Sequence, residues 1–210
     1  MRIDDASDYA TLDELDDETL AVRAQRGSLA SFDALVQRFD GRLYNFILRR
    51  VGNASDAEEL TQETLLRAWK NIQRYRPTHR FSTWVFTIGA RLSINHLRSA
   101  RVRLAVNAEP QTVDESCPSS ALDDAEMRRT LWDAVDETLT ESQRAALWLR
   151  YAEDMSMQDI ARILGKTNVG VRALLFRART ALAARLESEH PGPQARLTEL
   201  PRACAVEVEA

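Results

Sequence analysis

Apolar residues recur at helical spacing along most of the chain. In the first half, stripes that begin at Phe32 and Leu43 continue at intervals of three and four residues. Gly52 interrupts this pattern, and residues 55–58 form a capping box that predicts the start of the next helix. A third amphipathic stretch includes Trp84. Because the alternation typical of strands is absent, the sequence predicts an all-α protein.

The second half predicts a smaller group of helices. Residues 107–124 are rich in Pro, Ser and acidic residues and lack periodicity, which is typical of a flexible linker. Capping patterns at 140–143 and 156–159 open two further helices, and Gly165 ends the second. A longer basic helix is expected from about residue 168 to 186. We therefore expect two small helical domains, an N-terminal helical bundle and a C-terminal helix-turn-helix bundle, joined by a flexible acidic linker.

Charge alternates along the chain, although the net charge is only −4. Residues 38–103 contain thirteen Lys or Arg and five Asp or Glu, a local charge of +8. Residues 104–142 carry −8, and residues 143–187 carry +4. Each block alone can be explained as solvated helix faces, but the alternation favours binding of a polyanion.

Several functional classes fit the composition poorly. No apolar run approaches the roughly 20 residues of a membrane span, and the acidic start is unlike a signal peptide. Cys117 and Cys204 are isolated, and His79, His96 and His190 form no metal-ligand pattern. A phosphate-binding glycine loop and a catalytic constellation are also missing from the sequence. We therefore expect a cytoplasmic protein that is not an enzyme and uses no cofactor or metal.

Residues 156–179 have the plan of a helix-turn-helix. The first turns of its second helix can enter the major groove, and the unpaired N–H groups there favour phosphate. The alternative is a helical hairpin with a basic solvent face. The residues expected to pack the two helices together are Ile160, Ile163, Leu164, Val171, Leu174, Leu175 and Ala178.

Two segments in the first half suggest different binding functions. Residues 74–103 interleave aromatic rings with arginines, and exposed rings stack unpaired bases at about 1–3 kcal/mol per base. This mixture indicates contact with melted DNA, although Trp84 and Phe86 can equally be core residues. Residues 56–69 form an acidic amphipathic helix. Its acids suit the helix dipole, or they form a docking face for a basic partner.

Together these motifs resemble the extracytoplasmic-function (ECF) subgroup of the sigma-70 family, which are bacterial RNA polymerase sigma factors. Residues 56–69 are similar to the family pattern DAEDLxQExFLRAW, and residues 81–98 to FxTWLxxIARNLxxDHLR. Residues 139–151 and 156–179 resemble the opening and the helix-turn-helix of the family's C-terminal domain. The resemblance extends over about residues 28–186, in matching order and spacing.

The resemblance implies a domain order and three sets of binding residues. The implied order is an acidic N-terminal segment (1–27), sigma region 2 (28–103), a linker (104–124), sigma region 4 (125–187) and a C-terminal tail (188–210). Polymerase docking is implied at Asp56, Glu59, Leu60, Gln62, Glu63, Leu66 and Trp69. Minus-ten element binding is implied at Arg76, His79, Arg80, Phe81, Trp84, Asn95, Arg98, Arg101 and Arg103. Minus-thirty-five element binding is implied at Thr167, Asn168, Val169, Arg172, Ala173, Phe176, Arg177 and Arg179.

The resemblance also implies a function and partners. Such a protein directs RNA polymerase core enzyme to specific promoters and initiates transcription, in a stress or envelope-signal response. Its implied partners are the clamp helices of the largest polymerase subunit and the flap, promoter DNA, and an anti-sigma factor, without membrane insertion. Several departures from the family pattern concern the DNA contacts: residues 166–168 replace the usual Ile-Pro-Val turn, Gly170 replaces a common Thr or Ser, and Leu174 replaces a usual Arg.

Two other functions stay open at the level of sequence. The first is a helix-turn-helix regulator that binds duplex DNA without polymerase. The second is a polymerase-binding decoy that does not initiate transcription. Residues 55–103 distinguish the first from a sigma factor, because a repressor needs neither a docking helix nor a strand-binding loop.

Overall fold

The computed structural model describes residues 12–106, 135 and 138–189, with the backbone alone at 101–106 and 186–189. Within these residues every regular element is helical, which confirms the predicted all-α class. The α-helices are α1 (Asp17–Gln25), α2 (Leu29–Val51), α3 (Ala54–Lys70), α4 (Phe81–Val106), α5 (Glu141–Tyr151), α6 (Met157–Leu164) and α7 (Asn168–Glu189), with a short 3-10 helix (Ile72–Arg74) before α4.

The chain divides into two compact units, Met1–Ser116 and Cys117–Ala210. The division falls inside the predicted linker, whose residues from 107 onwards lie outside the described part of the chain. No helix in the described ranges is both long and apolar enough to cross a membrane.

In the N-terminal unit, α1, α3 and α4 all pack against α2. Fully buried aromatic rings join α2 to α4: Phe39 meets Phe81 edge-on at 5.3 Å, and Phe46 meets Phe86 at 5.2 Å between ring centroids. Each such ring contributes roughly 1.5–3 kcal/mol by leaving water. This core fixes the positions of the helices that carry the predicted docking and strand-binding residues.

The start of α3 differs from the sequence prediction. Gly52 ends α2 with a left-handed φ of 73°, and Asn53 follows in extended conformation. The Asn53 side chain accepts a hydrogen bond from Asp56 N–H at 2.9 Å and is the N-cap. The predicted capping box at 55–58 is therefore wrong, because an amide oxygen two residues earlier already satisfies the first turn.

The sequence patterns did not predict α1. Its N-cap is Asp16, whose side chain accepts from Thr19 N–H at 2.6 Å, and this hydrogen bonding lowers the pKa of Asp16. The buried residues of α1 are Leu20, Ala21 and Ala24. This apolar stripe is short and lies within an acidic stretch, which explains why it gave little periodic signal.

The arginine Arg38 on α2 binds the start of the described chain. Its guanidinium donates to the Asp17 carboxylate at 2.9 Å and to the backbone oxygens of Leu12, Asp13 and Leu15 at 3.1, 2.9 and 2.7 Å. Four hydrogen bonds from one side chain thus fasten the residues that lead into α1.

In the described part of the C-terminal unit, α5, α6 and α7 pack on one another. Thr140 N–H donates to Gln143 Oε1 at 2.9 Å, and Ser156 Oγ accepts from Asp159 N–H at 3.2 Å. Both predicted helix starts are thus confirmed. Gly165 ends α6 with a φ of 62°, as predicted, because left-handed backbone favours glycine.

Candidate nucleic-acid and protein interfaces

A groove of about 670 Å³ runs between the first turns of α2 and the last turns of α3. The rings of Phe32 and Trp69 meet at its base, 4.8 Å apart, and Leu66 at its edge is 44% exposed. Acidic side chains lie beside this apolar surface on α2. The residues that line it are Leu29, Ala30, Phe32, Asp33, Val36, Asp40, Gln62, Leu65, Leu66 and Trp69.

Most of the predicted docking residues share the accessible side of α3. Glu59, Gln62 and Leu66 are exposed, at the helical spacing that puts them on one face. Leu60 is buried, so it packs α3 onto the core instead of offering a contact surface. The sequence interpretation missed the α2 side of the groove, because Phe32 fits equally well into the apolar stripe of a core helix.

A side-chain contact joins the start of α3 to α4. Asp56 Oδ2 lies 3.1 Å from His96 Nε2, with both side chains partly exposed. The sequence interpretation placed Asp56 on the docking face, and the structure shows that one of its oxygens already has a partner within the unit.

The predicted strand-binding loop at 76–80 is exposed along its whole length. Tyr75 precedes it, fully buried, and its hydroxyl donates to the carbonyl oxygen of His79 at 2.8 Å. Burial, reinforced by the nearby Glu18 carboxylate, raises the pKa of Tyr75 far above its ordinary value. The hydroxyl ties Tyr75 to the last turn of the loop, while Arg76 and Arg80 are open to solvent.

Helix α1 fixes the backbone just before this loop. Gln25 Nε2 donates to the carbonyl oxygens of Ile72 and Tyr75, at 2.8 and 2.9 Å. In return, Gln73 Nε2 donates to the carbonyl oxygen of Gln25 at 2.6 Å. The 3-10 helix and the end of α1 are thus joined by three hydrogen bonds.

The two aromatic residues predicted to bind the minus-ten element differ in accessibility. Phe81 is only 2% exposed and lies against Tyr75 and Phe39, so it lacks the free face that base stacking needs. Trp84 is half-buried and packs at 5.5 Å against Tyr75. Phe81 supports the loop from the core, and Trp84 is the ring with a solvent-facing part.

The outer face of α4 continues from the loop. Arg91, Asn95 and Arg98 are exposed there, together with Ile94 at 45%. The side chains of Arg101 and Arg103 lie outside the described part of the structure. From residue 71 to residue 102 the sequence contains no acid, so the arginines give the described part of this face its charge.

In the C-terminal unit, α6 and α7 form the predicted helix-turn-helix. The residues expected to pack the two helices are buried or half-buried, with Val171, Leu175 and Ala178 fully so. The opposite face of α7 carries large apolar groups in solvent, with Val169 74% and Phe176 70% exposed. The predicted DNA-binding residues are all accessible apart from Ala173, which is half-buried: Thr167, Asn168, Val169, Arg172, Phe176, Arg177 and Arg179.

The turn before α7 explains one departure from the family pattern. Thr167 Oγ1 accepts a hydrogen bond from Gly170 N–H at 3.1 Å and so caps the helix. A Cβ placed at Gly170 would lie 3.2 Å from that same oxygen, which is tighter than ordinary contact. Glycine at this position therefore leaves room for the Thr167 cap.

Each of the two units matches a family model for one region of the sigma-70 proteins. Residues 35–103 match Sigma-70 region 2, and residues 132–182 match Sigma-70, region 4. The chain is 32% identical over 182 residues to the RNA polymerase sigma-H factor of Pseudomonas aeruginosa, which covers 81% of this chain and 94% of that relative. The chain belongs to the sigma-70 family. The predicted membership is thereby confirmed.

Other relatives place this sigma factor in the ECF subgroup. It is 33% identical over 175 residues to the ECF RNA polymerase sigma factor BldN of Streptomyces coelicolor, covering 81% of this chain and 66% of the relative. It is 28% identical over 186 residues to the ECF RNA polymerase sigma-E factor of Haemophilus influenzae, covering 83% and 97%. The predicted function, directing RNA polymerase to promoters, agrees with these relatives, and the regulator that acts without polymerase is not favoured.

Solved structures support the fold of this sigma factor. The sigma factor RpoE in complex with the anti-sigma factor NepR from Bartonella quintana has a TM-score of 0.69 at 20% identity, covering 77% of this chain and 100% of that one. CnrH in complex with the cytosolic domain of CnrY has a TM-score of 0.59 at 25% identity, covering 83% and 99%.

Proposed function

We propose that this ECF sigma factor brings RNA polymerase core enzyme to its promoters and holds melted DNA there, without catalysis of its own and in the cytoplasm. One observation carries the proposal. A single helical unit combines an acidic and apolar groove with an acid-free segment, residues 71–102, that includes the exposed loop 76–80. A repressor of duplex DNA needs neither surface.

The docking surface of the proposal is the exposed side of α3 together with the groove. Glu59, Gln62 and Leu66 would contact the clamp helices of the largest polymerase subunit, with Asp56, Glu63 and Trp69 beside them. Apolar anchors surrounded by charges are typical of protein interfaces, in which a few buried residues carry most of the binding energy. The groove adds Leu29 and Phe32 of α2 to this surface.

The minus-ten surface of the proposal is the loop 76–80 and the outer face of α4. Arg76, His79 and Arg80 would hold the backbone of the unpaired strand, and the accessible part of Trp84 would contact a base. Asn95, Arg98, Arg101 and Arg103 would continue along that strand or the upstream duplex. Phe81 would contribute from the core, by supporting the loop.

The minus-thirty-five surface of the proposal is the outward face of α7. The exposed residues between Thr167 and Arg179 would face the major groove of duplex DNA, where Arg172 reads base edges and Arg177 and Arg179 contact phosphates. The domain boundaries at 28–103 and 125–187 remain predictions that go with this division.

An anti-sigma factor is part of the proposal. CnrH, which is 25% identical to this protein, has been solved in complex with the cytosolic domain of CnrY. We propose that this sigma factor is likewise held by such a partner until a stress or envelope signal releases it. The flap of the core enzyme would be a further contact.

Transcription with purified core enzyme and a random promoter library tests the proposal. We expect transcripts that start at one shared promoter motif and that require this sigma factor. Folded protein that binds a duplex operator tightly, but neither co-purifies with core nor yields such transcripts, would support the regulator instead. Core binding without any opening of DNA would support the decoy.

A further inference from the structure

Glu18 on α1 acts on the start of α4. Arg80 precedes this helix, and its guanidinium cannot accept a hydrogen bond, so the first N–H groups of α4 need an acceptor from elsewhere. Glu18 Oε1 accepts from Phe81 N–H at 2.8 Å, across 63 residues of sequence. A carboxylate at this end of a helix also complements the helix dipole.

The loop 76–80 is therefore held at three points. Gln25 binds the carbonyl oxygen of Tyr75 at the loop's start, and the Tyr75 hydroxyl binds the carbonyl oxygen of His79. Glu18 binds the backbone immediately after the loop. Two of these three contacts come from α1, which ends before the residues that match Sigma-70 region 2 begin.

Direct contact of the first turn of α1 with DNA is disfavoured by its charge. Asp16, Asp17 and Glu18 stand at its beginning, and Asp13 and Glu14 directly precede it. Carboxylates at these positions repel phosphate, so we expect this end of α1 to influence DNA through the loop that it holds.

We propose that Glu18 and Gln25 are positioning residues for strand capture, an inference that rests on the proposed function. They hold the loop in the shape that presents Arg76, His79 and Arg80 to solvent before DNA arrives. A preformed loop loses less conformational entropy when the unpaired strand binds, and so binds it more tightly.

Two variants of the full chain test this proposal, each assembled with core enzyme: Glu18→Ala and Gln25→Ala. The first measurement is affinity for a single-stranded oligonucleotide that carries the minus-ten element of a promoter selected with the wild-type holoenzyme. We expect each variant to bind it about fivefold to tenfold more weakly, because Glu18→Ala loses one charge-assisted hydrogen bond and Gln25→Ala loses the two that Gln25 donates. Affinity for core enzyme and for the minus-thirty-five duplex should stay at the wild-type level.

Three control variants separate positioning from other effects. Glu18→Gln keeps an oxygen acceptor and should restore most of the single-strand affinity. Glu14→Gln removes an exposed acid just before α1, and Gln37→Ala removes an exposed glutamine on α2. Both should behave like wild type. Thermal unfolding shows whether each variant is folded. If Glu18→Ala has no unfolding transition, the same affinities measured for Gln25→Ala decide the question.

The proposal is overturned if the alanine variants bind the single strand as wild type does. It is also overturned if they lose core and duplex affinity by the same factor, since that indicates general destabilisation. If the wild-type protein binds core enzyme but the resulting holoenzyme binds no single-stranded promoter DNA, the proposed function is contradicted instead. The two failures can therefore be told apart.

Discussion

Phe176 and Val169 are large apolar side chains that α7 leaves in solvent, at 70% and 74% exposure. They lie on the same face as Arg172, at the spacing of two helical turns. In the major groove an apolar side chain meets the C5-methyl group of thymine, while arginine meets guanine. We therefore expect the exposed face of α7 to bind a duplex in which thymine and guanine are neighbours, with the apolar side chains on the thymine methyl and Arg172 on guanine.

The thymine methyl gives a direct test at the scale of one residue. Replacing the contacted thymine with deoxyuridine should weaken binding of the wild-type protein about fivefold, since one apolar contact of about 1 kcal/mol is lost. Phe176→Ala should bind both duplexes equally and as weakly as wild type binds the deoxyuridine duplex. Fluorescence anisotropy measures all four affinities. No effect of deoxyuridine at any thymine of the element would contradict this contact.

At the scale of the element, the N-cap of α3 shows what determines where a helix begins. Both Asn53 and Ser55 are residues that favour N-caps, but only Asn53 directly follows the left-handed Gly52 and is extended. The backbone at the end of α2 therefore decides which of two suitable side chains caps the next helix.

Asn53→Ala should lower the free energy of unfolding by about 1 kcal/mol, because the Asp56 N–H loses its acceptor. For a unit of this size the loss corresponds to about 4–8 °C in Tm. Calorimetry of the variant measures it, and Ser55→Ala is the matched control, with little expected change. Equal losses in both variants would mean that the cap is shared.

The groove between α2 and α3 gives a second test at this scale. Leu66→Ala should weaken binding to core enzyme about tenfold, as expected for an apolar anchor of an interface. Ile94→Ala is a closely matched control, since Ile94 on α4 is 45% exposed and Leu66 is 44% exposed. Competition against a labelled sigma factor measures both affinities. Equal affinities of the two variants would place the docking surface elsewhere.

At the scale of the whole molecule, charge is distributed in blocks. The net charge of −4 gives little reason to expect binding of nucleic acid, but residues 38–103 alone carry +8. Protein–DNA affinity falls with salt in proportion to the number of phosphates neutralised. Salt dependence therefore reports the basic surfaces that net charge conceals.

Arg179→Ala should reduce the slope of log affinity against log salt by about 1, because one phosphate contact is lost. Phe176→Ala should leave that slope unchanged although it weakens binding. Titrations of the minus-thirty-five duplex between low and moderate salt measure both slopes. An unchanged slope in Arg179→Ala would remove that arginine from the phosphate-binding set.

Periodicity and capping patterns predicted most of this fold, because α2, α5 and α6 have clear stripes and glycine or hydroxyl boundaries. They failed at α1, whose three buried residues are too few to show a period. In the helix-turn-helix, helical spacing predicted which residues of α7 pack against α6. The exposure of single side chains was harder to predict. Phe81 and Trp84 are both aromatic residues in the first turn of α4, and only the packing shows that Phe81 is buried and Trp84 is partly exposed.

The groove between α2 and α3 also shows that side-chain exposure is hard to predict from sequence. Its α3 side was predicted from acidic and apolar spacing, while Phe32 on α2 gave no distinct signal. An apolar residue has the same pattern whether it faces a core or a neighbouring helix at the surface. Only the packing of two helices side by side reveals the difference.

The four hydrogen bonds of Arg38 have a consequence for hybrid sigma factors. A chimera joined at the beginning of the region 2 match, residue 35, would keep this arginine and discard Asp17 and the backbone oxygens that it binds. Its guanidinium would then need new acceptors from foreign sequence, and Glu18 and Gln25 would be lost with α1. Exchange of promoter specificity between relatives therefore calls for a junction upstream of Leu12.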